Sequence, residues 1–267
     1  MKSSIKEYAL KNMEEIEALE ETADENEHII ELWEPLEFNI DEKYEYVSKN
    51  KLFQICSDFL YYIIAFPILT IFTKIVYDLK IEGKEKIRNI KDGAISVSNH
   101  VLILDCAMVG LSAGRKKIYY TTTQDSFKIP LVRKLIKLLR AMPIPTKIKD
   151  KENLIKNINE LVKNKNIIHF YPERALFPYY TKIRNFKNGA FTLAVKNNVP
   201  IIPMVFTFRE PKGIRKKIKT KKDVTLTILD PVYPSTDGNN IKKKTEELKQ
   251  EVYAKMQEIN SRKYKQF

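Results

Sequence analysis

The chain reads as an α/β protein: a mixed, largely parallel sheet flanked by helices, preceded by an N-terminal helical segment suited to docking on a membrane. Three observations predict this. From residue 77 onward, short apolar runs alternate with helical patterns. Ahead of them lies a stretch without a charged side chain, 59–73. At 267 residues with 43% hydrophobic side chains, the chain is long enough for one α/β domain with a full core and an extension.

Taken in order, residues 1–50 form an acidic N-terminal extension. They carry 15 acidic and 5 basic side chains, a net of −10, which leaves +23 on residues 51–267 out of a total of +13. Ile5, Tyr8, Ala9, Met13, Ile16 and Leu19 recur at roughly helical spacing, so a solvated helix is expected over 5–21. Trp33, Leu36, Phe38 and Ile40 mark a second acidic stretch, 29–47, that packs on the body or covers its basic surface. Residues 51–76 form the apolar segment. Fifteen uncharged residues fall short of the ~20 that a straight bilayer span needs. Pro67 in their middle is expected to bend or break the helix. Lys51 and Lys74 flank the stretch, and Tyr61 and Tyr62 suit an interfacial depth, so a bent helix lying in one leaflet is favoured over a span or a buried core helix.

Residues 77–267 then form the α/β domain. Strands are expected at 78–81, 94–98, 117–121, 167–171, 201–208 and 224–229, with helices over 131–139, 151–162, 188–196 and 240–259. The two cysteines, Cys56 and Cys106, form no CxxC pair, which excludes a disulfide framework or a cysteine metal site. The basic body suits an anionic partner. Seven basic residues fall within 212–222, read as a solvated loop or as a contact for anionic lipid or an acidic carrier protein. The acidic start lacks the basic-then-apolar pattern of a signal peptide, which puts the body on the cytoplasmic side.

The chemistry gathers after the strand at 94–98. In open α/β sheets reactive groups collect beyond the carboxyl ends of strands, and His100 sits at such an end with Asp105 five residues on. A turn into a helix brings that carboxylate back to the imidazole. One ring nitrogen is then fixed by Asp105, and the other is left to take a proton from a hydroxyl. A structural histidine beside a helix-capping aspartate is the alternative from these two residues alone.

Asn99-His100-x4-Asp105 resembles the NHx4D block of the glycerolipid acyltransferases, a family typified by 1-acylglycerol-3-phosphate acyltransferase. Further blocks follow in order. Phe127-Lys128-Ile129-Pro130 and Met142-Pro143-Ile144-Pro145 resemble the second, and Phe170-Tyr171-Pro172-Glu173 the start of the third. Phe186-Lys187-Asn188-Gly189-Ala190 resembles the segment after it, and Val199-Pro200-Ile201-Ile202-Pro203 the fourth. The resemblance covers roughly 75–230. It implies transfer from acyl-CoA or acyl carrier protein to a lysophospholipid or glycerophosphate hydroxyl, with His100 as base and Asp105 orienting it. It implies no acyl-enzyme, no metal and no cofactor beyond the thioester co-substrate, and no nucleophilic role for Cys106.

The resemblance further implies acceptor binding by Asn99, Glu173, Arg174, Arg184, Lys187 and Gly189. The third block departs from the family's Pro-Glu-Gly-Thr-Arg: Arg174-Ala175-Leu176 stand in the last three places, and Leu176 cannot hold a phosphate. Arg184 is expected to replace the missing arginine, ahead of Arg174, Lys182 and Lys187. Glu173 orders the acceptor end of the site or is a structural carboxylate paired with an arginine. His169 is read as packing beside the site. The second block also lacks its usual basic residues, with Gln124-Asp125 and Pro145-Thr146-Lys147 in their places. An acceptor other than lysophosphatidic acid, such as a sugar lipid, is one alternative. A non-catalytic basic module for membrane or nucleic acid is another, although no nucleic acid is expected because no RNA-stacking motif is present. The expected partners are membrane lipids, the acyl donor and the lysophospholipid acceptor.

Overall fold

The computed structural model describes residues 38, 40, 41, 44–128, 130–147, 150–218 and 222–265. The helix expected over 5–21 and most of the acidic extension lie outside the described residues, as do Ile129 and residues 219–221. The described end of the extension lies on the body: Ile40 and Tyr46 are buried, and Asn153 Nδ2 donates to the Tyr44 carbonyl at 2.9 Å.

Helix α1 runs unbroken from Lys51 to Tyr77, 27 residues. Asn50 caps it, its side-chain oxygen accepting from the Leu52 and Phe53 N–H groups at 2.9 and 3.3 Å. It ends where Asp78 turns left-handed at φ 41°. The expected break at Pro67 does not occur. Instead residues Leu60–Ala65 form a π-helical turn, closed by the Phe66 N–H on the Tyr61 carbonyl. Proline clashes with the carbonyl four residues back. A wider turn just before Pro67 relieves that clash without interrupting the helix.

The π turn also sets which residues face out. Leu52, Ile55, Phe59 and Ile63 are exposed, and the stripe continues at Ile68, Ile71 and Ile75. Ile64 is exposed beside Ile63, so the stripe stays continuous across the wide turn. Along the docking face Ser57 Oγ donates to the Leu138 carbonyl at 2.5 Å, and Asp58 pairs with Arg140 and Lys117 at 2.7 Å each. Tyr62 Oη donates to the Arg115 carbonyl at 3.0 Å, and Thr73 and Tyr77 are buried. One side of α1 is thus bound to the domain along its length, and the other is a strip of bare Ile, Leu and Phe.

The sheet has seven strands: β1 Lys80–Glu82, β2 Ala94–Ser98, β3 Ile118–Thr123, β4 Ala141–Ile144, β5 Ile167–Phe170, β6 Ile201–Arg209 and β7 Asp223–Ile228. Their order is β1-β7-β6-β2-β5-β3-β4. Every pairing is parallel except β6 with β7. The helices after α1 are α2 Lys84–Arg88, α3 Asp105–Ala113, α4 Pro130–Leu138, α5 Lys151–Lys163, α6 Gly189–Asn197, α7 Ile214–Ile218 and α8 Ile241–Lys265. The central strands are buried on both faces, which is why they read as apolar runs.

Two cores result. One unites Ala94, Ile167, Ile202 and Phe206 with Tyr61 and Tyr77 of α1 and with Met108 and Val109 of α3. The other sets Ile95, Val97, Ile168 and Val205 against α5, α6 and α8 through Leu154, Phe191 and Val252. Alternation along the strands therefore sends Ser96, Ser98 and His169 to the α1 and α3 side. Gly110 of α3 is where three elements meet. A side chain there would run into the hydroxyls of Tyr61 and Tyr120, which bond to each other at 3.0 Å. Gly110→Ala should therefore lower stability in urea denaturation by about 1–3 kcal/mol. An unchanged midpoint would show that α1 does not seat on α3 through this contact.

Candidate active site

Strand β2 ends at Ser98, and a short loop leads to α3, whose first residue is Asp105. A carboxylate is favoured in a first helical turn, and here it also reaches back to the loop. His100 Nδ1 and Asp105 Oδ2 lie 2.6 Å apart, and the Leu102 N–H donates to the same oxygen at 3.5 Å. The Asp105 side chain is 1% exposed and that of His100 21%, so the imidazole has one edge in the protein and one toward solvent. With Nδ1–H directed at the carboxylate, Nε2 is the basic nitrogen.

Strand β5 runs parallel beside β2, so its carboxyl end delivers Tyr171 and Glu173 to the same edge. Tyr171 stacks on His100 with ring centroids 3.9 Å apart and planes at 16°. Its hydroxyl donates to Asp105 Oδ1 at 2.6 Å. Both oxygens of the buried carboxylate are thereby occupied. Glu173 is buried as well: one oxygen accepts the His100 N–H at 3.2 Å and the other the Arg184 N–H at 3.0 Å. Burial pushes its pKa up, opposed by the Arg184 guanidinium. The Phe177 and Tyr179 N–H groups donate to the His100 and Val101 carbonyls, both at 3.0 Å, and complete the seam between the two loops.

His169 is fully buried beneath this pair. Its ring nitrogens meet Ser96 Oγ at 2.9 Å and Ser98 Oγ at 3.2 Å. Ser98 gives its own proton to the Asn99 carbonyl, so it accepts from Nε2–H while Nδ1 accepts from Ser96. Desolvation drops this imidazole to about 3, which keeps it neutral and excludes it as the base. The Cys106 thiol is pushed up to about 12 by burial and the adjacent Asp105 charge, so it is no nucleophile at neutral pH.

A family model described as Acyltransferase matches residues 78–207, the segment holding every residue just placed. That segment, just under half of the chain, is similar to the acyltransferase family. The chain is 28% identical over 163 residues to the 1-acyl-sn-glycerol-3-phosphate acyltransferase BAT2, chloroplastic, of Brassica napus, covering 60% of this chain and 46% of that protein. It is 29% identical over 129 residues to the LPAT1 counterpart of Arabidopsis thaliana, covering 48% of this chain and 35% of that one. The chain thus spans less than half the length of these curated relatives. The crystal structure of the 1-acyl-sn-glycerophosphate (LPA) acyltransferase PlsC from Thermotoga maritima is similar at a TM-score of 0.47 and 18% identity, over 76% of this chain and 95% of that one.

Two expected acceptor contacts are tied up in the protein. Asn99 is 1% exposed; its Nδ2 donates to the Phe206 carbonyl at 3.0 Å and its Oδ1 accepts the Phe206 N–H at 2.8 Å. It fastens the β2 loop to β6. Arg184, expected to take the missing phosphate arginine's place, instead lies 3.7 Å from Glu173 and donates to the Glu173 and Ala175 carbonyls at 3.0 and 2.6 Å. Its guanidinium also covers the Phe177 ring at 3.8 Å. Such an arginine organises the Glu173 loop and is not poised for a ligand. Arg174 is exposed in a left-handed turn at φ 69°, and Lys187 comes beside that turn through its N–H on the Pro172 carbonyl at 2.9 Å. Gly189 opens α6 with open space where a side chain would stand.

The sequence reading missed Tyr171 as a partner of Asp105. Its signal was faint: a hydroxyl added to an aromatic, one residue before Pro172-Glu173. Tyr171→Phe keeps the stack and strips a donor from a buried carboxylate. It should cost about 1.5–3 kcal/mol in urea denaturation, and no loss would mean that Asp105 Oδ1 finds another donor.

Proposed function

We propose that this acyltransferase moves a fatty acyl chain from acyl-CoA or acyl carrier protein to the free hydroxyl of a lysophospholipid, 1-acylglycerol-3-phosphate. The observation that carries the reading is the His100–Asp105 pair, 2.6 Å apart at the carboxyl edge of the sheet with Tyr171 locking the carboxylate. The acceptor O–H gives its proton to His100 Nε2 as its oxygen bonds to the thioester carbonyl carbon. Asp105 supports the imidazolium so formed. When the C–S bond breaks, the thiolate leaves and takes that proton back. The base is thereby restored, and the balance calls for neither a metal nor an enzyme nucleophile.

The acceptor is an amphiphile, and the bare stripe of α1 supports its delivery from a bilayer. With its docking face held by Asp58, Tyr61, Tyr62 and Tyr77, α1 lies along the domain and embeds its stripe in one leaflet rather than crossing both. The +23 carried by residues 51–267 suits the negative cytoplasmic leaflet, where we place the enzyme. The acceptor phosphate is held by Arg174 and Lys187, the exposed or half-exposed cations flanking Pro172 and Glu173.

His100→Ala should abolish acyl transfer to 1-acylglycerol-3-phosphate in vesicles while circular dichroism stays unchanged; full activity would remove the base assignment. Arg174→Ala should raise KM for the phosphate-bearing acceptor by about tenfold or more, with kcat little altered. An equal loss with an acceptor lacking the phosphate would move the phosphate contact elsewhere.

A further inference from the structure

At the opposite edge of the sheet lies a second concavity that the proposed reaction does not use. It opens where the strands begin, between Lys117 just ahead of β3 and Asn166 just ahead of β5, and the first turns of α1 roof it through Phe53, Ser57 and Asp58. Its volume is about 270 Å³. A second, apolar groove of about 480 Å³ adjoins it, walled by Phe38, Tyr44, Phe53 and Leu138. Phe53 and Lys137 line both.

The charges around this double hollow are one-sided. Lys117, Lys137 and Arg140 line the polar half, and Arg133 and Lys134 line the apolar half, against the lining carboxylate of Asp58 and that of Glu45, which acts on Lys137. Asp58 is already shared between Lys117 and Arg140 at 2.7 Å each. Arg140 is 4% exposed, in a left-handed turn at φ 68°, and its Nη1 has no hydrogen-bond partner among the described residues. Burial lowers the Lys137 pKa, opposed by the Glu45 carboxylate and reinforced by Arg133. The carbonyls at the end of α5, which also borders the cavity, do not take up these cations. They are satisfied by the Asn164, Lys165 and Asn166 N–H groups, each at 3.0 Å. Two of these cations lie over aromatic rings, Lys137 over Tyr44 at 5.2 Å and Arg133 over Phe38 at 4.9 Å.

We infer that this hollow binds an anionic phospholipid as a second lipid site, its phosphate among Lys117, Lys137 and Arg140 and an acyl chain along Phe38, Tyr44, Phe53 and Leu138. Three features select this ligand class. An excess of cations over carboxylates demands an anion. A continuous apolar groove beside them demands a chain attached to that anion. And Leu52 and Ile55, exposed on the same first turns of α1 that carry Phe53, add apolar surface near the hollow that a lipid can cover. The site also stands apart from His100, because Lys117 and Asn166 precede strands whose far ends carry the catalytic edge. The four residues of β5 alone separate the two edges by about 13 Å.

The test uses the full chain in detergent, with native mass spectrometry and calorimetry. The probes are short-chain phosphatidylglycerol, phosphatidylcholine of the same chain length, and inorganic phosphate. Phosphatidylglycerol should bind one per chain and tighter than phosphatidylcholine by roughly tenfold or more, with phosphate alone far weaker. Lys117→Gln with Lys137→Gln should weaken it by about fivefold per lysine. If the double variant fails to fold, Lys137→Gln alone carries the test. His100→Ala should leave the binding intact, so failure of the acyl-transfer reading and failure of this site are seen separately.

Equal binding of the two lipids, or an unchanged affinity in the lysine variants, overturns the proposal. So does loss of binding in His100→Ala, which would place the lipid at the catalytic edge. Phosphate binding as tightly as phosphatidylglycerol reduces the site to an anion pocket and overturns the lipid. Carbodiimide cross-links from Lys117 or Lys137 to the acidic residues of 1–37, with no lipid bound, give the hollow to this chain's own leader and equally overturn it.

Discussion

A carboxylate buried to 1% is tolerable only if its charge is matched on both oxygens, and the arrangement around Asp105 follows from that demand. His100 takes one oxygen and Tyr171 the other. Because the two partners come from loops after different strands, the pairing fixes β2 and β5 in register at their carboxyl ends. Glu173 repeats the device one step further along, spanning the His100 and Arg184 N–H groups. Removing either carboxylate would leave donors stranded in a dry seam, so the geometry of the base and the cohesion of the loops are one property.

That coupling explains what the sequence shows and what it hides. His100 and Asp105 are legible because five residues of separation between a strand end and a helix start suffice for an imidazole to meet a carboxylate. Tyr171 and Arg184 act through contacts made only once β5 lies beside β2, and no local spacing announces such contacts. Arg184 was the natural candidate for a phosphate clamp by position alone. Its neighbours in space, Glu173 and the Phe177 ring, commit it to the protein instead. Asn99 likewise looks like part of a reactive motif, yet it serves as the bolt between β2 and β6.

The fold was easier to read where burial is two-sided. Strand β2 and the helices after β4 and β5 match the apolar runs and periodicities, because residues facing a core cannot vary in polarity. Strand β4 escaped, being four residues long with Pro143 inside it. It lies at the sheet's edge, where one side of the backbone makes no ladder and a missing N–H is tolerated. A proline in a regular α-helix argues for a bend or a break, so the sequence of residues 51–76 suggests a bent helix. The π turn is a solution that periodicity at 3.6 cannot express.

Strand alternation joins these facts on one face of the sheet. Ile168 and Phe170 face the α5, α6 and α8 side, so His169 and Tyr171 must face the other, and along β2 the same rule sends Ser96 and Ser98 there. That other side is where α3 packs with Asp105 at its first turn, and where α1 rests on α3 through Tyr61 and Gly110. The polar stack beneath His100 and the helix with the bare apolar stripe thus share one face of the sheet. In the proposed reaction, an amphiphile held at α1 and its hydroxyl at Nε2 would share that face. The two-residue period of a strand therefore decides that the His100–Asp105 pair and the helix with the bare stripe lie on the same side of the sheet.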